Sequence, residues 1–361
     1  MNRRLLVPAL FILGGWFGAR AQDSPPSEET RLKTRYSVSV IDDATFYGNR
    51  SEPVPGVLNQ VLVEPSFSLH YRDRLTLSTS VIGLTGTYSD NYTQLRVKET
   101  YAGLSAGDFD FTLGRKMVRW GTGYAFTAAG VLDPPRMATN PTDRLNVNEG
   151  RDMIKADWVH GPHALSLAWS TAALAPAQSN LQDTTAFRYN VLVRGFDTSL
   201  IAGDDRGGDA FGALTFTRVF GQAWEVHGEA AWREQAAVLM GAKFTTASGV
   251  SFIGEFYSPP NIPYYRDMGV SPSAGRQHYA FLYAGKARLR ELPGWKEWGL
   301  SGSVVTNLDD RGYAAVVDAS RWFGNHFSTY LHLEFPRGDK QSEYGSAPYS
   351  IATSVGVRFQ L

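Results

Sequence analysis

The segment YSIATSVGVRFQL, Tyr349 to Leu361, decides the fold. Tyr349, Ile351, Thr353, Val355, Val357, Phe359 and Leu361 fall on one side of an extended strand, and Ser350, Ala352, Ser354, Gly356, Arg358 and Gln360 fall on the other. The period of two is unbroken, so one face is oily and the other suits water. A long strand of this kind at the C-terminus is expected where it closes a cylinder, and rarely where it finishes a soluble domain.

Working back from it, the sequence from residue 35 onward divides into segments of about ten residues that alternate in hydrophobicity between turn residues. We count about eighteen, from 35–41 to 349–361, with sixteen as the alternative count. Short connections such as Arg72 and Asp73, Gly107, Gly161 and Pro162, Gly195 and Phe196, Gly221, and Leu292 to Trp295 alternate with a set that contains every long one: 48–59, 119–150, 173–185, 258–277 and 336–348. The expected fold is all-β, a transmembrane antiparallel up-and-down barrel with short periplasmic turns, longer outer loops and both termini periplasmic. Trp224, Val226, Gly228, Ala230 and Trp232 form a lipid-facing row, with Glu225, His227, Glu229 and Arg233 on the wet side. The two Trp then sit at the rims of an apolar band ~25 Å tall, and Trp158, Trp169, Tyr279, Trp298 and Tyr313 fit the same girdles. Glu99 and Arg321 share the phase of apolar neighbours, which a bulge or a rim location would explain.

The N-terminus predicts export. Arg3 and Arg4, an apolar run from Leu5 to Phe17, and Ala19-Arg20-Ala21 give a signal peptide over 1–21. A polar, Pro-bearing leader over 22–34 and a barrel over 35–361 follow. The chain has 17 Tyr, 20 Phe, 9 Trp and 36 Gly yet no long apolar run, as alternating strands allow. With 0 Cys there is neither a disulfide framework nor a lipidated cysteine. Thirty-five basic and 35 acidic residues balance, which argues against a nucleic-acid partner.

These features resemble Gram-negative outer-membrane porin-like β-barrels, whose final strand usually ends in an aromatic residue; here the end is Leu361, with Phe359 two places before it. The connection 119–150 and its approach carry a second resemblance. Gly114 and Arg115, then Arg119, Trp120, Gly121 and Gly123, then Asp133 and Pro134 form a Gly-Arg, Arg-Trp-Gly-x-Gly, Asp-Pro pattern similar to alginate-export-like and related uncharacterised barrel families. The resemblance implies outer-membrane localisation, contact with membrane lipids and lipopolysaccharide, engagement of the barrel-assembly machinery through the last strand, and a channel activity without a cofactor.

The lumen is read from the non-lipid face of each strand. Its expected lining includes Arg96, Lys98, Arg151, Lys155, Asp157, Arg188, Arg194, Glu225, Glu229, Arg233, Lys243, Lys286 and Arg288. With Glu64, Glu255, Glu334, Arg290 and Arg358 added, basic residues lead by about two to one, which favours anions in a wet pore. The connection 119–150 is long enough to fold inward as a constriction, carrying Arg119, Arg136 and Arg144 over the pore. The loop 258–277 holds Tyr264, Tyr265 and Arg266, a set suited to sugar rings or acidic solutes. The seven His read as solvated lumen or rim residues, with no local hydrolase pattern, and Asp204, Asp205, Asp209, Asp309 and Asp310 read as ordinary loop acids. The function expected is passive diffusion of small polar or anionic solutes without enzymatic chemistry. A dedicated acidic-saccharide channel, a non-conducting scaffold and an outer-membrane hydrolase are the alternatives.

Overall fold

The computed structural model describes residues 32–51, 54–72, 74–87, 91–134, 136–140, 144–171, 183–205, 209–233, 235–258 and 278–361. The expected signal peptide, most of the expected leader and the loop with Tyr264, Tyr265 and Arg266 lie outside them. The strands are β1 (Leu32–Gly48), β2 (Val57–Tyr71), β3 (Leu75–Thr87), β4 (Asn91–Ala106), β5 (Phe109–Lys116), β6 (Arg151–His160), β7 (His163–Ser170), β8 (Thr184–Val193) and β9 (Phe196–Asp205) in the first half. The second half holds β10 (Asp209–Phe220), β11 (Trp224–Trp232), β12 (Ala236–Thr245), β13 (Ser251–Ser258), β14 (Tyr279–Lys286), β15 (Trp298–Asn307), β16 (Tyr313–Phe323), β17 (Phe327–Arg337) and β18 (Ile351–Gln360). Each pairs antiparallel with its sequence neighbours, and β18 pairs with β1 from Ser39 opposite Gln360 to Gly48 opposite Ile351, so the 18-stranded sheet has no free edge. Closure satisfies every ladder in the one solvent that offers the backbone no hydrogen bonds.

The connections confirm the alternation of short and long. Turns 72–74, 107–108, 161–162, 194–195, 221–223, 246–250 and 324–326 lie at one end. Six of the seven contain a glycine of positive φ, among them Gly161 (φ 57°) and Gly195 (φ 80°) in two-residue hairpins, which require it. One turn at this end departs from expectation: β14 stops at Lys286, so the connection occupies 287–297 rather than 292–295. At the start of the wall the expected leader loses its last three residues, because Leu32, Lys33 and Thr34 already pair with Tyr71, His70 and Leu69. At its other end β1 runs to Gly48, not 41, and brings Asp42 and Asp43 into the wall.

Side chains alternate as the sequence predicts. Leu167, Trp169, Leu200, Trp224, Trp232, Met240 and Leu282 face out and are exposed, whereas Ala168, Ala186, Ile201, Leu239 and Phe281 face in and are buried. Tyr279 is a correction: it belongs to the inward row with Phe281 and is buried, not girdling the membrane. The Glu99 misfit is a bulge, since the β3–β4 register shifts between Ser80 and Val81; Lys98 and Glu99 therefore both turn inward. Arg321 has no bulge beside it and is outward at the rim, over the rings of Trp298 and Phe323 at 5.5 and 4.8 Å.

Candidate functional site

The apolar cores of this molecule lie inside the cylinder, and the segment between β5 and β6 builds them. Ala125 and Phe126 are buried against Leu239, Ile253, Tyr257, Tyr279, Phe281 and Val305, inward residues of β12 to β15. Trp120, Ala129 and Leu132 are buried against Ala168, Ala186, Ile201 and Phe211 of β7 to β10. Phe126 stacks on Tyr257 at 4.9 Å and meets Phe281 edge-on at 6.5 Å. Each such ring contributes ~1.5–3 kcal/mol by leaving water.

Three carboxylates hold this outbound leg. Glu229 accepts the backbone N–H groups of Gly123 (2.9 Å), Ala128 (2.5 Å), Ala129 (2.7 Å) and Thr122, and the hydroxyls of Thr122 (3.2 Å) and Thr127 (3.0 Å). Glu255 accepts from Ala125 N–H at 2.9 Å and Tyr124 N–H, and lies 3.0 Å from His227 Nε2. Asp133 accepts from Trp120 N–H at 2.6 Å and Gly121 N–H at 3.3 Å, and from Arg136 Nη2 at 3.0 Å. Burial pushes the Asp133 carboxyl above its ordinary value, and Arg136 with the two N–H groups pulls it back. Burial and the neighbouring Glu225 raise the Tyr124 phenol, whose hydroxyl donates to Glu225 at 3.0 Å.

The Arg-Trp-Gly-x-Gly, Asp-Pro pattern is the machinery of this latch. A Cβ on Gly121 would fall 2.0 Å from Thr127 Oγ1, and one on Gly123 would fall 2.4 Å from the Phe126 carbonyl and 2.7 Å from Leu239 Cδ1. Only glycine lets the backbone approach two carboxylates this closely. Gly114 sets the exit from β5: its φ is 117°, and a Cβ there would fall 2.3 Å from the Thr100 carbonyl oxygen. The next residue, Arg115, forms a two-point bond to Asp152 at 3.0 and 2.8 Å.

The return leg is fixed on the opposite wall. Arg144 Nε lies 3.4 Å from Asp43 and its guanidinium 5.7 Å over Tyr330, while Tyr330 donates to Asp43 at 2.6 Å. Arg358 donates to the Arg144 carbonyl at 2.5 Å, and Asn146 donates to Glu64 at 3.2 Å. Leu145 and Val147 pack on Ile41, Leu62, Ile82 and Leu84. β12 and β2 are eight strands apart around an 18-strand ring, so the segment spans the bore. Below it, against the inner faces of β1 to β4, remains a polar cavity of about 750 Å³ lined by Arg35, Ser37, Ser66, Ser78, Glu64 and Lys98.

Most expected lumen residues face inward but are spent on each other. Lys98 is buried on Glu64 at 2.9 Å, Lys155 pairs with Asp157, and Glu229 is only 3% exposed beneath the segment. Lys243 and Glu225 meet across Tyr124, Arg188 donates to Ser199 at 2.9 Å, and Arg233 lies over Phe211 at 5.7 Å. Of the expected constriction arginines, Arg136 and Arg144 are structural, tied to Asp133 and Asp43. Four residues are corrections to the lining. Lys286 shares the outward face with Leu300 and pairs with Glu291; Arg194 sits in the β8–β9 turn at φ 51°; Arg288 lies in the 287–297 turn, 3.6 Å from Glu297, and Arg290 is exposed in the same turn. Tyr279 and Phe281 face inward, so the unbroken alternation of β14 puts Lys286 outward; with Tyr279 taken as outward, the same alternation places Lys286 on the wrong side.

Sequence reasoning missed Asp43, because β1 continues past residue 41, and missed Glu99, Asp133 and Glu149 as inward acids. Glu149 reaches Arg96 and Arg115 at 3.5 Å. With these added and four cations removed, the two-to-one basic excess disappears. His227 also departs from the solvated reading: its ring is fully buried between Glu255 and Glu225, the latter 3.7 Å from Nδ1. Asp318, His332 and Ser354 lie in register on adjacent strands, with His332 Nδ1 2.7 Å from Asp318, but Ser354 is 1% exposed and bonded to Thr45 at 2.7 Å.

The cations left facing water are few. Arg119 is exposed and Arg151 half-buried, and neither has an acidic partner among the described residues. Arg151 sits opposite Lys116 in the ladder, and Arg96, 41% exposed, stands nearby at the root of the segment.

No family model matches the chain, and no curated protein matches it. Solved structures do. The chain is similar to Pseudomonas aeruginosa OccK11 (OpdR) with TM-score 0.60 and 10% identity, covering 91% of this chain and 96% of that one. It is similar to OccK5 (OpdH) of the same organism with TM-score 0.61 and 8% identity, covering 91% and 98%. A triple mutant of the Rhodopseudomonas blastica porin gives TM-score 0.51 at 9% identity, covering 91% and 100%. At such identities the likeness is one of fold, and the fold is that of the large porin-like β-barrels of the Gram-negative outer membrane.

Proposed function

We propose that the protein is a passive channel for small polar solutes with a weak preference for anions. The observation that carries this reading is the asymmetry of the unpaired charge. The inward carboxylates Asp43, Glu64, Asp133, Glu229 and Glu255 are all engaged by N–H donors or cations. Arg35, Arg119 and Arg151 have no acidic partner among the described residues. A univalent anion ~7 Å from one such cation gains ~0.6 kcal/mol in water, so two or three of them bias passage by a factor of a few. Transport is electrodiffusion past the segment 117–150, through the serine-lined cavity.

The position of β18, which closes the ring against β1, supports engagement of this strand by the assembly machinery, and lipopolysaccharide contact is expected around the outer loops. The hydrolase alternative finds its nearest approach in Asp318, His332 and Ser354, whose serine is buried and bonded elsewhere. Planar-bilayer recording of the refolded protein in a KCl gradient tests the reading. Open-channel current with an anion-selective reversal potential is expected. A barrel without current would overturn the channel, and a cation-selective one would overturn the charge assignment.

A further inference from the structure

The outward wall carries a feature that solute passage does not use. Across β12 to β16 a groove of about 700 Å³ opens in the membrane-facing surface, between Phe244 and Phe252 on one side and Leu282 and Val317 on the other. Its floor is small because two rows of the ladder place Ala242 beside Gly254 and Ala284 beside Gly302. Neither glycine is required by the backbone. Both have ordinary extended conformations; a Cβ on Gly254 would meet only Leu282 Cδ2 at 3.5 Å, and one on Gly302 only the Val316 carbonyl at 3.6 Å. The contrast is with Gly228 and Gly356, whose Cβ positions fall 2.5 and 2.3 Å from the rings of Phe216 and Tyr330. Space in front of Gly254 and Gly302 is empty volume bordered by Phe244, Phe252, Leu282 and Val317.

A cation stands beyond the groove on the same wall, outside its lining. Four residues along β16 from Val317, ~13 Å at strand rise, is Arg321. The residue is exposed, its guanidinium lies over the rings of Trp298 and Phe323, and it has no acidic partner among the described residues. Beside it the 287–297 turn exposes Leu292 and Trp295, the latter 5.4 Å from Trp298, together with Lys296. This is the end of the barrel where the short turns lie, and hence the periplasmic interface. A fixed guanidinium presents parallel N–H donors that match a phosphate, and indoles occupy the headgroup level.

We propose that this groove is a binding site for one glycerophospholipid of the periplasmic leaflet, with its phosphodiester on Arg321 and an acyl chain laid over Gly254 and Gly302. An apolar chain fits the groove, and a phosphate fits the cation beyond it. Lipopolysaccharide, confined to the opposite leaflet, presents its phosphates at the other end of the wall.

The test is native mass spectrometry of the full barrel in maltoside detergent, titrated with phosphatidylglycerol and, in parallel, phosphatidylethanolamine. One lipid should remain bound under activation that strips the rest. The Gly254→Leu/Gly302→Leu double variant, which fills the groove without a backbone clash, and Arg321→Gln should each lower its occupancy about fivefold at fixed lipid concentration. Arg218→Gln is the control, because Arg218 is also outward and over two rings, Phe196 and Phe220 at 4.4 and 4.6 Å, and stands on β10, outside the strands that line the groove. Undiminished retention in the filled-groove variant, or equal loss in Arg218→Gln, would overturn the site and leave only an unspecific lipid annulus. Heat-modifiable gel mobility confirms that each variant is folded, and bilayer conductance, expected to be unchanged, separates this proposal from the channel reading.

Discussion

The two sides of the bore are built on different principles. Along β7 to β15 the inner wall carries two apolar clusters with Glu229 and Glu255 set between them, and the 120–132 stretch lies on it as a second layer, with Trp120, Ala125, Phe126 and Leu132 buried. Along β1 to β4 the inner wall below the return leg is a field of hydroxyls, Ser37, Ser66, Ser68, Ser78 and Ser80, facing the open cavity. The same barrel thus uses one half of its circumference as a dry packing surface and the other as a wet one. The lesson is that inward orientation does not mean pore lining, since half of the inward face is core. Charge follows the same division: Glu229 and Glu255 on the dry side serve as acceptors for backbone, while the exposed cations cluster where the segment leaves the wall.

This contrast breaks most completely at Glu229. Glu229→Ala removes the acceptor of four N–H groups and two hydroxyls and should cost ~3 kcal/mol or more, because buried donors lose their partner. Single-channel conductance should rise severalfold as the outbound leg leaves the wall; unchanged conductance would show that the leg is not the constriction. A smaller effect is expected for Gly123→Ala, whose added methyl meets the Phe126 carbonyl and Leu239 at 2.4 and 2.7 Å. We expect ~1–3 kcal/mol of destabilisation by overpacking, read as a lower thermal midpoint. On the far wall, Arg144→Gln leaves Asp43 with Tyr330 and Thr45 as partners, and ~1–2 kcal/mol should be lost with increased current noise as the return leg frays. The smallest change in stability, within about 0.5 kcal/mol, belongs to Arg119→Gln and Arg151→Gln. Their effect should appear instead in the reversal potential, which moves toward zero selectivity, and an unmoved potential would place the filter elsewhere.

Much of the fold was legible because alternation is a local property with a period of two. β18, β11 and the short turns could be read residue by residue. The errors arose where that phase was interrupted or taken the wrong way round. The bulge at Ser80/Val81 turned Glu99 inward, the inward Tyr279 sets β14 in the phase that faces Lys286 outward, and the end of β14 leaves Arg288 in a turn. The site was less legible for a different reason. The importance of Glu229 comes from donors about 100 residues away, and Asp43 is matched with Arg144 across a similar gap, so neither role leaves a mark at its own position. The Gly121 and Gly123 spacing did leave one, a conformational demand recognisable before its partners were known.

The crossing segment also fixes an order of events. Its outbound anchors lie on β11 and β13 and its return anchors on β1, β2 and β18, so the segment emerges from synthesis long before the last wall it must grip. Contacts of such sequence separation form late. The β1–β18 ladder joins residues about 300 apart, such as Gly48 and Ile351, whereas the outbound anchors join residues about 100 apart. On that ordering the outbound leg docks on β11 and β13 before the ring closes, and the hold of Arg358 on the Arg144 carbonyl arrives with β18, which makes the tightness of the pore a report on whether assembly was completed.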